Sequence, residues 1–507
     1  MSEADMSSTS TRATLVATLT AAPPAAGALP DLAGADWLEV RADLVGDLDP
    51  APLRAAFPGK LLYTLRSRAE GGQFEGSAER RQRRIVEAAT RYDLIDLECE
   101  RDLSPEVLTA VAPARRILSW HGGAVGLHGL KARFEKMAVH AAFLYKMVPA
   151  AAQAGEELAP LLLLHQLKRP DVAAFASGLS GAWTRLVAPR LGAPVVYAAV
   201  SEVPGAPGQI SLARLRDDYG LPDLPPVEVL FGIVGSPVAH SLSPRLHNGA
   251  YRALGIPALY LPFHAPSFGD FWLEVVESGT PEILEMPLRG LSVTAPYKEA
   301  ALAVAGAESP RASRIGAANT LVWNQGVWEA ESTDPEGVVL PLTARGIDPA
   351  GLAAAVVGAG GAGRSSAVGL DVAGARVTLF NRGAERGERA AEALKLPYLP
   401  LEQLDPAAFD ILVNATSLGR DPAGPLPFSV DGVRPGSVVI DLVYDAARPG
   451  PTRLLAAAAA RGAVAIDGRE VLLSQALGQF RMMTGREMPV DLARELLGLT
   501  PLPTPLF

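Results

Sequence analysis

The chain has 507 residues, with 46 Lys and Arg against 55 Asp and Glu, giving a formal charge of −9. Its residues are 49% hydrophobic and 20% charged, enough to bury a large core, which excludes wholesale disorder. Mild acidity without a long basic run argues against nucleic acid or an anionic membrane as the main partner. The single cysteine, Cys99, excludes an intramolecular disulfide or a multi-cysteine zinc site and fits a reducing, cytoplasmic setting. The longest apolar runs, Leu158–Leu164 and Leu454–Ala460, fall short of the ~18–20 residues that span a bilayer.

Met1–Thr11 is rich in Ser and Thr and reads as the core of a disordered tail over residues 1–12. Eight strand-like runs then alternate with helical stretches: Thr14–Leu19, Trp37–Arg41, Leu61–Arg66, Leu94–Glu98, Arg116–His121, Phe143–Val148, Val172–Ser177 and Val195–Val200. Eight such units suggest a (β/α)8 barrel over residues 13–221, although an open doubly wound sheet shares the periodicity. Several runs end in polar groups, where a parallel barrel carries its site. Trp37–Asp43 (WLEVRAD) puts Glu39, Arg41 and Asp43 on one face at period two. Arg66 precedes Glu70 by four residues, and His121 closes its own run.

Lys146 lies inside the apolar run FLYKMV. Such a lysine either snorkels to the strand end or is held with a depressed pKa, which provides the neutral amine of a Schiff-base nucleophile. His121 is the natural proton shuttle, Glu70 can orient it, and Arg41, Arg66 and Arg185 suit an anionic, hydroxylated substrate.

In chain order, Glu39-x-Arg41, Arg66 with Glu70-Gly71-Gly72, Ser119-Trp120-His121, Lys146-Met147-Val148-Pro149, Arg185 and Pro207-Gly208-Gln209 resemble type I 3-dehydroquinate dehydratase. The resemblance implies a (β/α)8 barrel in which Lys146 forms an imine with the substrate ketone, His121 moves protons and Glu70 orients His121. It makes Arg185 the carboxylate ligand, with Glu39, Arg41, Arg66 and Gln209 contacting hydroxyls or closing the site. Gly122-Gly123 stand where that family often has an acidic residue, and Gly205 where a serine is common; both bear on lid closure and substrate affinity.

Pro222–Pro226 (PDLPP) breaks the pattern, and residues 222–228 read as a linker. Alternating units resume at Val229–Val234. Gly358-Ala359-Gly360-Gly361-Ala362-Gly363 matches G-x-G-x-x-G, after the run Ala353–Val357 and before a helical stretch, as a pyrophosphate site requires. Past the next strand, Arg376–Phe380, stand Asn381, Arg382 and Arg386 rather than a carboxylate, which suits the 2′-phosphate of NADP.

GSPVAHSLSP (Gly235–Pro244), VTAPYK (Val293–Lys298), GAANT (Gly316–Thr320), the glycine-rich turn, Asn381-Arg382, NATSLG (Asn414–Gly419), Asp441–Tyr444 and Gly468 with Gln475 together closely resemble shikimate dehydrogenase. The resemblance makes Ser241, Ser243, Thr294, Asn319, Tyr444 and Gln475 substrate ligands and Lys298 with Asp334 the catalytic pair. Gly358, Gly360, Gly361, Ala362, Gly363, Asn381, Arg382, Arg386, Thr416 and Gly468 then hold NADP. It divides the half into a substrate-binding domain (229–335), a Rossmann domain (336–466) and C-terminal helices (467–507) returning to the first. Pro335 after Asp334, Gly383 after Arg382 and Val471 in place of a methionine depart from that pattern.

Two neighbouring steps of the shikimate pathway, towards chorismate and the aromatic amino acids, are thus expected on one chain. 3-Dehydroquinate is dehydrated to 3-dehydroshikimate, which NADPH reduces to shikimate. No metal is expected, because no cluster of ligands occurs, and the oligomeric state stays open. A catabolic quinate/shikimate dehydrogenase using NAD is one rival. A non-catalytic regulator is the other, but it would be expected to lose Lys146, His121, Lys298 or Asp334, and all four are present.

Overall fold

The computed structural model describes residues 11–23, 29–200, 204–421, 423–445 and 450–500. Residues 1–10 of the expected tail, and 501–507 of the C-terminal segment, lie outside them. Contacts divide the chain into two units, Met1–Leu230 with Gly255–Leu288, and Phe231–Leu254 with Arg289–Phe507.

The first unit contains a (β/α)8 barrel. Its parallel strands are Thr14–Leu19, Trp37–Arg41, Lys60–Thr64, Leu94–Glu98, Arg116–Gly122, Leu144–Pro149, Val172–Ala174 and Val195–Ala199. The first seven pair in sequence order and the eighth returns to pair with the first, which leaves the seventh and eighth as the two edges of a nearly closed barrel. The third and seventh strands stop short of the ends expected at Arg66 and Ser177, so those residues lie in the loops at the barrel mouth. Strands covered by helices on one side and by the barrel interior on the other read as apolar runs rather than alternations. Val16, Leu62, Ile117 and Leu144 fill the interior. Helices start where side chains replace missing backbone partners: Ser77 accepts from the Arg80 N–H, Ser104 from Val107 ahead of Pro105, and Ser211 from Arg214. In the proline-rich segment, Asp223–Leu224 pairs antiparallel with Thr11–Arg12. Residues 255–288 pack in this unit through Phe263, whose ring lies 5.2 Å from Trp183 and 5.3 Å from Phe271.

The second unit carries two sheets. In one, Val229–Gly235, Leu288–Val293, Thr320–Asn324, Val327–Glu331 and Ala307–Glu308 lie side by side in that order. The other is all parallel, with Tyr398–Pro400, Arg376–Asn381, Ala353–Val357, Ile411–Asn414, Val438–Asp441 and Val464–Ile466 as spatial neighbours. That order reverses between Ala353–Val357 and Ile411–Asn414, the switch point at which Rossmann sheets bind nucleotides. Alternate residues of the central strand serve opposite layers: Ala354 and Val356 join one buried cluster, Ala355 and Val357 the other. The long helix Gly468–Thr484 is capped by Asp467, which accepts from the Arg469 N–H.

Two candidate active sites

A cavity of about 350 Å³ opens at the C-terminal ends of the barrel strands, lined by residues of seven of them or of the loops that follow. It brings together Glu39, Arg41, Arg66, Glu70, His121, Lys146, Arg185 and Gln209, all of the barrel residues expected from sequence. Lys146 is 5% exposed, and its Nζ lies 3.7 Å from Asp96 and 4.0 Å from Glu39. Burial pulls its pKa below the ordinary lysine value, with the two carboxylates opposing. Glu39 is itself fixed by the Thr18 and Thr64 hydroxyls, which donate to it at 2.8 Å each.

His121 Nδ1 lies 3.2 Å from Glu70 Oε2, which also accepts from the His121 backbone N–H at 3.0 Å. Burial and then the cations Arg66, Lys146, Arg41 and Arg185 hold the imidazolium well below its usual range, so the ring is neutral at physiological pH. A neutral ring donating Nδ1–H to Glu70 presents Nε2 as a base. Burial pushes the Glu70 carboxyl up to about 8, against the opposing pull of Arg66.

Arg66 engages Asp96 at 2.8 Å, Ser119 at 3.0 Å, Glu70 at 3.2 Å and Glu98 at 3.3 Å, so its donors are largely occupied by protein. Arg185 differs. It is 4% exposed, stacks 4.3 Å from the Phe175 ring centroid, and its Nε has no acceptor among the described residues. Burial lowers its pKa to about 10. A buried guanidinium of this kind is costly until an anion meets it, which suits a substrate carboxylate.

Gln209 and Arg41 tie the following loop to the mouth. Gln209 donates to Thr18 at 3.0 Å and accepts from the Gly205 N–H, while Arg41 donates to the Gly205 carbonyl at 3.1 Å. A Cβ on Gly205 would come within 2.7 Å of Thr20 Cγ2, and one on Gly122 within 2.1 Å of the Trp120 ring, so these neighbours leave no room for side chains there.

Sequence reasoning passed over Asp96, Glu98 and Tyr197. The two acids sit at period two in LIDLE, the same signal that exposed Glu39 and Arg41. Tyr197 gave no signal, because an aromatic in a strand is ordinary core.

In the second unit, Lys298 begins the helix Lys298–Val304 and pairs with Asp334 at the start of Asp334–Thr343. Asn319 Nδ2 donates to the other Asp334 oxygen at 2.8 Å, and lies 3.3 Å from Gln475 Oε1. Asn319 is in turn held by Gln479, which donates to its carbonyl at 3.0 Å and accepts from Ser292 at 2.9 Å. Gln479 was invisible in sequence, being one glutamine on a mixed helix. Ser241 Oγ accepts from the Ser243 N–H, and Tyr444 hydrogen-bonds the Ser241 side chain. Thr294 is tied by its backbone to Val234 at 3.0 Å. Pro335 falls in the first helical turn, where a missing N–H costs nothing.

The glycine-rich turn has the form a dinucleotide requires. Gly358 has φ +113°, and a Cβ on Gly363 would strike the Gly358 carbonyl at 1.8 Å. Gly360 caps the helix Gly361–Val372 without a side-chain hydrogen bond, and Ala362 lies in its opening turn, so the first N–H groups have no side-chain cap to satisfy them. A Cβ on Gly361 would lie 3.2 Å from Lys298 Cδ, so this turn adjoins the Lys298–Asp334 pair. One on Gly360 would lie 3.6 Å from the Arg386 guanidinium. Asn381 accepts from the Ala359 N–H at 3.2 Å and donates to Gly383, and Arg382 is exposed beside it. Thr416 donates to Asn414 at 2.7 Å at the end of the neighbouring strand. Gly468 packs under 3 Å, measured from a hypothetical Cβ, against the carbonyls of Asp441–Val443, and Val471 packs on Gly337. The glycines, the helix start and the two arginines fit NADP.

Residues 18–223 match the family model of type I 3-dehydroquinase, and residues 233–321 that of the shikimate dehydrogenase substrate binding domain. The shikimate dehydrogenase (NADP(+)) of Acidiphilium cryptum is 42% identical over 264 residues, covering 52% of this chain and 92% of that protein. The chloroplastic bifunctional 3-dehydroquinate dehydratase/shikimate dehydrogenase of Arabidopsis thaliana is 29% identical over 499 residues, 92% of this chain and 80% of that one. Among solved structures, shikimate 5-dehydrogenase from Thermus thermophilus with NADP(H) and shikimate is 35% identical, covers 53% of this chain and 98% of that one, and has a TM-score of 0.48. The chain therefore belongs to the shikimate dehydrogenase family and carries that enzyme fused behind a type I 3-dehydroquinase.

Proposed function

We propose that the chain catalyses two consecutive reactions of the shikimate pathway. The barrel dehydrates 3-dehydroquinate to 3-dehydroshikimate, and the second unit reduces that product to shikimate with NADPH. The observation that carries the first reading is Lys146, an amine buried at a polar cavity with its pKa lowered by desolvation. Lys146 captures the ketone as an imine, which makes the adjacent carbon acidic. His121, held by Glu70, takes that proton at Nε2 and returns it to the departing hydroxyl. Arg185 receives the carboxylate.

In the second unit, bound NADPH supplies the hydride. Lys298 and Asp334 hold the proton that must reach the carbonyl oxygen, and Asn319 fixes the Asp334 carboxylate while Gln475 adds a polar contact. The residues expected to hold NADP keep their assignment here: the turn Gly358–Gly363 for the pyrophosphate, Arg382 and Arg386 for the 2′-phosphate, and Thr416 beside them. Ser241, Ser243, Thr294 and Tyr444 complete the shikimate site. The domain limits 13–221, 229–335, 336–466 and 467–507, and a cytoplasmic location, belong to the same proposal. Among the described residues no helix is long and apolar enough to cross a membrane.

Treating the protein with 3-dehydroquinate and borohydride should add mass to the peptide containing Lys146, and Lys146→Ala should abolish dehydration while leaving shikimate oxidation near wild type. An unlabelled Lys146 or an active mutant refutes the imine. Initial rates with quinate and shikimate, each with NAD and NADP, separate the biosynthetic reading from the catabolic one.

A further inference from the structure

Tyr197 stands on the eighth barrel strand, 3% exposed, and lines the cavity beside Lys146. Lys146 Nζ lies 3.8 Å from its ring centroid, close contact for a cation over an aromatic face. Its hydroxyl is buried and has no hydrogen-bond partner among the described residues. Neighbouring hydroxyls of the barrel mouth are all engaged: Thr18 and Thr64 donate to Glu39, and Ser119 to Asp96 at 2.6 Å. A buried phenol left unsatisfied among engaged hydroxyls needs an explanation, and a bound ligand supplies one.

We infer that Tyr197 contacts the substrate of the imine reaction: its ring face holds the cationic nitrogen of Lys146, and its hydroxyl hydrogen-bonds a hydroxyl group of the bound polyhydroxylated ketone. The inference rests on the reading of Lys146 as the imine-forming residue. Condensation forms a C=N bond and breaks the C=O bond. Starting from the ammonium, two of its protons leave with the carbonyl oxygen as water, and the product is a protonated imine. The charge on nitrogen is therefore the same before and after, so one aromatic face serves both states. The other charged groups around that nitrogen are Glu39, Asp96, Arg41 and Arg66, contributed by other strands and the loop after one of them. Burial keeps the Tyr197 phenol protonated, so it remains a donor throughout the working range.

The test compares Tyr197→Phe, which keeps the ring, with Tyr197→Leu and Tyr197→Met, which remove it, in the full-length protein. Tyr197→Phe should raise KM for 3-dehydroquinate about five- to tenfold, the loss of one neutral hydrogen bond, without moving the pH midpoint of borohydride trapping. Whichever ring-removing variant keeps a wild-type thermal transition should lower that midpoint by about one pH unit, because the ammonium loses its aromatic face. A wild-type KM in Tyr197→Phe, or an unmoved midpoint without the ring, overturns the inference. If wild type itself gives no adduct on Lys146, it is the underlying imine reading that falls, and the role of Tyr197 falls with it. A labelled wild type with unresponsive variants removes the role of Tyr197 alone.

Discussion

Replacing Asp96 by Asn should lower the pH at which Lys146 becomes reactive. Asp96 Oδ2 faces Lys146 Nζ at 3.7 Å and has no hydrogen-bond partner among the described residues, while Oδ1 is taken by Arg66 at 2.8 Å and by Ser119. At an effective dielectric of about 20, a unit charge at that distance is worth ~4.5 kcal/mol, a ceiling of roughly three pKa units. Arg66 neutralises part of the carboxylate, which leaves about one to two units. The sign is fixed. Burial already draws the lysine below its ordinary value and Asp96 opposes it, so removing the charge lets the pKa fall further. Asn keeps an oxygen for Arg66 and Ser119, so the packing survives. The assay is borohydride trapping of 3-dehydroquinate against pH. Its midpoint should fall by one to two units, and the turnover plateau should drop as well, because the protonated imine loses the same attraction. A midpoint that stays in place or rises would show that Asp96 does not set the charge of Lys146.

Lys298→Ala and Asp334→Asn should each cut shikimate oxidation by about 10²–10⁴-fold while NADPH binding, followed by fluorescence titration, changes little; near-wild-type turnover in either would refute the paired role. Arg382→Ala should raise KM for NADPH roughly 10- to 150-fold, an effect that shrinks at high salt, and barely alter KM for NADH; equal losses would place Arg382 in fold or pyrophosphate support instead. His247 is fully buried, and burial lowers its pKa to about 3. A ring neutral in the folded state and free to charge in the unfolded chain loses stability as pH falls from about 6.5 towards 3, by about 2 kcal/mol at pH 5. Urea transitions followed by shikimate oxidation at pH 7 and pH 5 should therefore draw together in His247→Leu relative to wild type, and an unchanged gap would contradict this.

Strand period and turn residues were enough to locate all eight barrel strands, because a parallel strand buried on both faces is a short apolar run bounded by polar loops. Lys146, Glu39 and Arg41 were legible for the same reason: a charge within such a run is conspicuous. The turn Gly358–Gly363 was legible because its backbone form tolerates few other residues. Period alone could not decide whether eight units curl into a barrel or lie open, since both bury the strands alike; the return of the eighth strand to the first made a nearly closed barrel, with the seventh and eighth strands at its edges. The partners of each charge were equally hidden. Arg41, Arg66 and Arg185 are alike in sequence, yet the first is paired by Asp43, the second by three carboxylates, and the third lies stacked on Phe175 with its Nε unengaged among the described residues. Lys298 and Asp334 are 36 positions apart and meet only because two helices begin at one place. Residue type and local period follow from short stretches of chain, whereas solvation, pairing and pKa depend on groups that folding brings from distant strands, and these only the tertiary structure assigns.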